Sequence, residues 1–289
     1  MRLRTLPLAL SVGILSLSLV NHTWESKIVL AALLLITIIL LQVLSNLAND
    51  YGDFQNGADN ENRTGPLRQV QSGNISMRSM RIAILINALL ALVTGTSLLL
   101  VSGISWVHIL FFLILGLSAI WAAIRYTAGR NPYGYRGLGD LAVFLFFGPV
   151  GIMGSVFVLS SDFIVESIPA SLLTGCGAVM VLNLNNLRDE SSDRESGKVT
   201  LVVKYGNRFG RRYHFILFFI VFICSVLVVF PPNLLRSLIN GVFMWFVFIN
   251  QRSVWADKDF HRFDSKMKPL ALSLFSFTLL QWLLHIFTH

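Results

Sequence analysis

Long apolar runs separated by short polar stretches dominate the chain. Runs near 5–22, 28–49, 80–102, 104–125, 138–160, 164–187, 213–231, 233–250 and 268–287 approach the roughly twenty residues that a helix needs to cross a bilayer. The pattern predicts an all-α, polytopic membrane protein with nine transmembrane helices, folded as one domain over residues 1–289. Pro231 and Pro232 mark a tight turn between the seventh and eighth runs. Gly148, Gly151 and Gly154 give the fifth helix a small-residue face for close packing, with a hinge as the alternative. Leu6 to Val20 follow Arg2 and Arg4 like a signal-peptide core, but no small-residue cleavage site comes after them, so this run is read as a retained first helix.

The polar stretches between the runs set the orientation. With the N-terminus in the cytoplasm, all of the 23 basic residues except Lys27 and Arg236 fall on the cytoplasmic side, as the positive-inside rule requires. The protein is therefore expected in the cell inner (cytoplasmic) membrane. The net charge of +8 is accounted for by this bias and calls for no nucleic-acid partner. Only 13% of residues are charged against 54% apolar, where soluble domains carry about 25% charged. Cys176 and Cys224 lie inside apolar runs, which argues against a disulfide framework or a thiolate metal site. His108, His214, His261, His285 and His289 are scattered without ligand spacing.

Against this background two acidic clusters stand out. The first follows the second run, where Asn46, Asn49, Asp50 and Asp53 fall at i, i+3, i+4 and i+7 and share one helical face. The second follows the sixth run, with Asp189 and Asp193 at i, i+4, preceded by Asn185, Asn186 and Arg188 and followed by Gly197, Lys198 and Thr200. One such cluster alone is as well read as a solvated helix end. Two of them, both on the cytoplasmic side, predict a shared site in which carboxylates hold Mg2+ and the metal holds a diphosphate, because hard oxygen donors suit that ion. Asp50, Asp53, Asp189 and Asp193 are the expected metal ligands and catalytic acids, with Asn49 supporting the first ion directly or through water.

A metal-gripped diphosphate implies ionisation chemistry. Metal, Arg and Lys stabilise the charge that builds on a departing diphosphate, and Arg63, Arg68, Arg130, Arg188 and Lys198 are the candidate cations. An allylic cation left behind needs a dry, aromatic wall, for which 22 Phe, 6 Trp and 6 Tyr are available. A prenyl tail would leave between helices into the bilayer. The stretch Asn56 to Gly73 is long enough to act as a lid.

Asn49-Asp50-x-x-Asp53 and Asp189-x-x-x-Asp193-x-x-x-Gly197-Lys198-x-Thr200 resemble the two motifs of the UbiA superfamily of intramembrane aromatic prenyltransferases, over essentially the whole chain. The resemblance implies a helical bundle with a central cavity, Mg2+ as cofactor, and a polyprenyl diphosphate and an aromatic acid as substrates. Arg68 to Ser76 is similar to the loop after that family's first motif. The family often carries a further Asp four residues after Asp53, where this chain has Gly57, with Asp59 two positions later. Tyr126-x-x-x-Arg130 sits where relatives have a Tyr and a basic residue that help bind diphosphate.

Tyr133 to Asp140, Phe144 to Pro149 and Asn185 to Asp189 are similar to the menaquinone branch of that superfamily. This implies transfer of a polyprenyl group to 1,4-dihydroxy-2-naphthoate with loss of CO2. Asp140 stands where that branch usually has Glu, and Arg136 is the candidate for the acceptor carboxylate. Hydroxybenzoate or homogentisate acceptors remain alternatives within the superfamily. An ion-coupled transporter is the rival from another class, but its charges belong near mid-membrane and these lie at helix ends.

Overall fold

The computed structural model describes residues 5–20, 28–57, 73–257 and 259–288. Among them the chain is helical throughout: α1 (Leu6–Ser18), α2 (Ile28–Gln55), α3 (Met77–Val101), α4 (Trp106–Arg125), α5 (Gly139–Phe147), α6 (Gly154–Ser160), α7 (Ser167–Arg188), α8 (Glu190–Glu195), α9 (Leu201–Tyr205), α10 (Asn207–Val229), α11 (Leu234–Ala256) and α12 (Phe263–Thr288). A π-helical turn, Pro149–Met153, joins α5 to α6 into one membrane-length unit.

Among the described residues eight helices are long and apolar enough to cross a membrane, where the hydropathy pattern predicts nine. The difference lies at the first run. Its helix α1 has 13 residues, about 20 Å at 1.5 Å per residue, short of the roughly 30 Å apolar core. Most of α1 is buried, packed against α12, α2 and α7 inside the bundle.

The bundle is organised on α7, which has 78% of its apolar window buried. The reason is in its side chains. Ser167, Ala170, Ser171, Thr174, Gly175, Cys176, Gly177 and Ala178 are buried, and small residues let neighbouring backbones approach closely. A Cβ on Gly148 would stand 2.7 Å from the Ser171 carbonyl oxygen, and one on Gly175 3.2 Å from the Gly148 Cα. Gly148 thus does the close packing that the glycine face predicts. Thr174 Oγ1 donates to the Phe147 carbonyl at 2.7 Å, on the residue next to the π turn.

On its other side α7 meets α10, α11 and α12 through a buried polar chain. Asn183 Nδ2 donates to the Gly210 carbonyl at 2.9 Å and lies 3.3 Å from His214 Nδ1. His214 Nε2 lies 3.1 Å from Asn250 Oδ1, and Asn250 Nδ2 donates to the Lys266 carbonyl. His214 therefore belongs to helix packing. Helices α3, α4, α10 and α11 present large exposed apolar side chains such as Leu85, Leu89, Trp121, Ile216 and Trp245, which fits a lipid-facing surface.

Candidate active site

Both acidic clusters reach one cavity. The end of α2 brings Asn46, Asn49, Asp50 and Asp53 to its wall, and the α7–α8 junction brings Arg188, Asp189, Ser192 and Asp193. Asp189 sits at the break between the two helices, with φ −96° and ψ 10°, so the chain bends where both of its acids are needed. Asp50 is 4% exposed, Asp53 5%, Asp189 6% and Asp193 5%. Four carboxylates this deeply buried require compensation, because desolvating a charge is costly.

The compensation joins the two clusters. The Tyr135 hydroxyl donates to Asp53 Oδ1 at 2.9 Å. Lys198 Nζ stands 5.8 Å from the centre of the Tyr135 ring and donates to Asp193 Oδ1 at 3.1 Å. These side chains meet because the Val199 N–H donates to the Tyr135 carbonyl at 3.0 Å, within a short parallel bridge of residues 136 and 199. Burial would lower the Lys198 pKa, but Asp193, Asp53 and Asp189 outweigh it and hold the ammonium above its ordinary value. Burial pushes the Asp193 carboxyl up to about 6, despite Lys198 and with help from Asp189 and Asp53.

Arg188 forms a fork on Asp189, with Nε to Oδ1 at 2.7 Å and a terminal nitrogen to Oδ2 at 2.6 Å. The same terminal nitrogen also donates to Asn185 Oδ1 at 2.9 Å, and the other one donates to Asp264 at the start of α12. On the α2 side the support comes from backbone contact. A Cβ on Gly52 would lie 2.4 Å from the Thr127 carbonyl carbon, so only glycine lets α2 rest on the turn after α4. That contact puts Thr127 Oγ1 3.1 Å from Asn49 Oδ1, and Asn56 Nδ2 donates to the Thr127 carbonyl at 2.7 Å. Gly57, with φ +72°, follows the last helical turn, so the position where the motif resemblance leads to the expectation of a further acid is the helix stop.

Tyr126 lines the cavity and makes an edge-to-face pair with Tyr133 at 5.4 Å. Lys198 lines it as well. Three other predicted residues are not brought to the wall. Arg130 is exposed beyond Gly129, whose φ of +95° turns the chain outward. Arg136 is exposed on its loop. Asp140 is buried at 6% in the first turn of α5 but does not line the cavity, and its Oδ1 has no hydrogen-bond partner among the described residues. Arg63, Arg68, Asp59 and most of the expected lid lie outside the described residues.

The cavity has a volume of about 730 Å3 and two unlike ends. Beyond the acids its wall is apolar and aromatic, with Leu34, Ile38, Leu99, Phe112, Ile120, Phe146, Phe147 and Val158. Between Leu34 and Asp53 it follows nineteen residues of α2, about 28 Å of helix. Among the described residues, no three His, Cys, Asp or Glu side chains form a ready-made metal cage. The donors suit Mg2+ even so, since that ion keeps waters and uses one or two carboxylates together with substrate phosphate. Asp193 Oδ2, buried with no hydrogen-bond partner among the described residues, is an available donor of that kind.

Comparison with known proteins agrees with this arrangement. The model of the UbiA prenyltransferase family matches residues 9–280. The chain is 44% identical over 248 residues to the 1,4-dihydroxy-2-naphthoate octaprenyltransferase of Escherichia coli, covering 84% of this chain and 79% of that one. It is 40% identical to the enzyme of the same name from Haemophilus influenzae, covering 77% and 73%. Among solved structures, a UbiA homologue from Aeropyrum pernix superposes with a TM-score of 0.72 at 13% identity, covering 100% of this chain and 98% of that one. A UbiA homologue from Archaeoglobus fulgidus, bound to DMAPP and Mg2+, superposes at 0.63 with 16% identity, covering 96% and 98%. An all-helical bundle around a cavity with carboxylates at one end, matched by a family model over nearly its whole length, leads to one conclusion: this chain belongs to the UbiA prenyltransferase family.

Proposed function

We propose that the protein transfers a polyprenyl group from its diphosphate to 1,4-dihydroxy-2-naphthoate, releasing diphosphate and CO2, as a step in making menaquinone. One observation carries the reading: two carboxylate pairs from distant elements line one cavity whose remaining wall is mainly apolar and aromatic. The names of the 44% and 40% identical relatives support the choice of acceptor.

In this reading Asp50 and Asp53 face Asp189 and Asp193 across the diphosphate and hold Mg2+, with Asn49 assisting. Bound Mg2+ would neutralise charge on the diphosphate oxygens. Lys198 and Tyr126 complete the grip from this chain, with Arg68 and Arg130 as further candidates. Tyr135 fixes the direction of the Asp53 carboxylate, and Arg188 that of Asp189. The carbon–oxygen bond breaks with its electron pair going to diphosphate. Phe112, Phe146, Phe147 and the Tyr126–Tyr133 pair wall the allylic cation from water and offer ring faces to its charge. The electron-rich acceptor ring forms the new carbon–carbon bond at the carbon bearing the carboxylate. Loss of CO2 returns the electron pair to the ring, so no separate base is required. Arg136 and Asp140 are the candidate acceptor contacts.

The carboxylate end is assigned to the cytoplasmic face. The basic residues favour this, and Thr5 at the start of α1 bonds to Asn46 near the end of α2, so α1 runs antiparallel to α2 with its N-terminal end on the carboxylate side. On this view α1 is a short ninth crossing. An N-terminal reporter that is active only outside the cytoplasm should give no signal, and a strong one would reverse the assignment.

The deciding experiment for function uses purified protein, Mg2+, a polyprenyl diphosphate and a panel of aromatic acids, with products identified by mass. The expected product is the decarboxylated prenyl naphthoquinol, lost on adding chelator. A prenylated benzoate as the sole product would move the protein to another branch, and no prenylated product would remove the enzyme reading.

A further inference from the structure

Most wall residues fill the cavity from their Cα outward, but two leave it bare. A Cβ built on Gly116 of α4 would meet nothing within 4 Å, and one on Gly95 of α3 would meet only Thr37 Cγ2 at 3.5 Å, an ordinary contact. Both glycines line the cavity. Another wall glycine differs, since a Cβ on Gly151 would stand 2.6 Å from the Phe146 carbonyl oxygen, and a fourth, Gly154, would place one at ordinary contact distance, 3.4 Å, from the Phe112 ring. Gly151 serves packing and Gly154 faces an aromatic ring; Gly95 and Gly116 border space.

Their depths follow from the helices. Thr37 Oγ1 bonds to Thr94 Oγ1 at 3.2 Å, which sets Gly95 level with a point sixteen residues from Asp53, about 24 Å along α2. Helices α3 and α4 are joined by the short turn at 102–105. Gly95 lies six residues before the end of α3 and Gly116 ten residues after the start of α4, so Gly116 is about 6 Å nearer the acidic end. Glycine costs helix stability relative to alanine, and neither position needs the close approach or positive φ that would excuse it.

Resting on the prenyltransferase reading, we propose that Gly116 and Gly95 are specificity-determining positions that admit long prenyl chains, at two successive depths. Side chains introduced there shorten the longest tail the cavity accepts, and Gly116 imposes the shorter limit.

The test compares Gly95→Leu and Gly116→Leu with the unaltered protein, using geranyl diphosphate and an octaprenyl diphosphate as alternative donors. Gly241→Leu is the control, since Gly241 on α11 is exposed, off the cavity and also open. Filling occupied space costs roughly 1–3 kcal/mol, about tenfold or more in rate. Both cavity variants are therefore expected to lose octaprenyl transfer by about tenfold or more while keeping geranyl transfer. Donors of intermediate length should be rejected earlier by Gly116→Leu. The Ala variants should show the same order with smaller shifts, and retained geranyl transfer shows that each variant is folded. Unchanged length profiles, equal loss of both donors in the Leu and Ala variants, or the same shift in Gly241→Leu would overturn the proposal. An unaltered protein that transfers neither donor would instead overturn the enzyme reading beneath it.

Discussion

The Tyr135 hydroxyl donates a hydrogen bond to Asp53 across 82 residues of sequence, at 2.9 Å. The same ring faces the Lys198 ammonium, which holds Asp193. One tyrosine therefore links the acids of α2 to those of the α7–α8 junction. Replacing it by phenylalanine keeps the ring near Lys198 and removes only the donor. A hydrogen bond to a charged group contributes about 1.5–3 kcal/mol, so Tyr135→Phe should cut kcat/KM by roughly 10- to 100-fold. Initial rates across a Mg2+ series check this, and an unchanged Mg2+ requirement would confine Tyr135 to packing.

The acids themselves should be far less tolerant. Asp53→Asn and Asp189→Asn preserve size and remove charge, and each is expected to reduce transfer by about 100-fold or more, on the scale of losing a transition-state charge contact. Assays in membranes with saturating Mg2+ measure it. Near-normal transfer in both variants would end the carboxylate–metal account.

The raised Asp193 value makes a prediction about pH. Its folded pKa of about 6 lies above the unfolded value near 3.9. Its contribution to stability is therefore full below about 4 and is lost as pH rises through about 6. Without metal or diphosphate, the melting temperature should fall across that window, and Asp193→Asn should flatten the fall. Metal requires the ionised form, so the apparent Mg2+ affinity should weaken below pH 6. Titrations at pH 5.5 and 7.5 measure that difference, and equal affinities would show that Asp193 takes no part.

Gly52→Ala should damage the site without touching an acid. The added methyl would meet the Thr127 backbone at 2.4 Å, where neither side can yield cheaply, and overpacking of this kind costs about 1–3 kcal/mol. A lowered melting temperature together with a raised Mg2+ requirement is expected, because Thr127 orients Asn49. Gly57→Ala, strained by its φ of +72° but facing open space, should lower stability by about 1 kcal/mol with little change in Mg2+ requirement. Melting curves and Mg2+ titrations of the two variants separate these effects.

Much of this arrangement is legible along the chain, because membrane helices announce themselves by length and the acids by helical spacing. The pairing of Asp50 and Asp53 with Asp189 and Asp193 at one cavity follows from two clusters on the same membrane face. What supports the acids was not legible. Tyr135 reaches Asp53, Thr127 reaches Asn49 and Asp264 reaches Arg188 through tertiary packing that no local period encodes. Gly52 is the one such support with a local signal, standing between two acids on a helix that otherwise avoids glycine. That α1 is only 13 residues long is not legible either, because hydropathy reports apolar character and not where the helix ends. Motif position suggests Arg130 for the diphosphate and loop position Arg136 for the acceptor, but exposure is not legible there, and both are exposed in the fold.

The Arg188–Asp264 pair joins the last helix to be synthesised to the acidic end of the cavity. Asp264 opens the last helix, whereas Arg188 and Asp189 close the seventh. While the ribosome has yet to deliver α12, the guanidinium lacks one of its two anionic partners. A nascent chain stalled after α11 would already own all four acids but leave that arginine short of an anion. The last helix to be made thus closes the contact behind the arginine that holds Asp189.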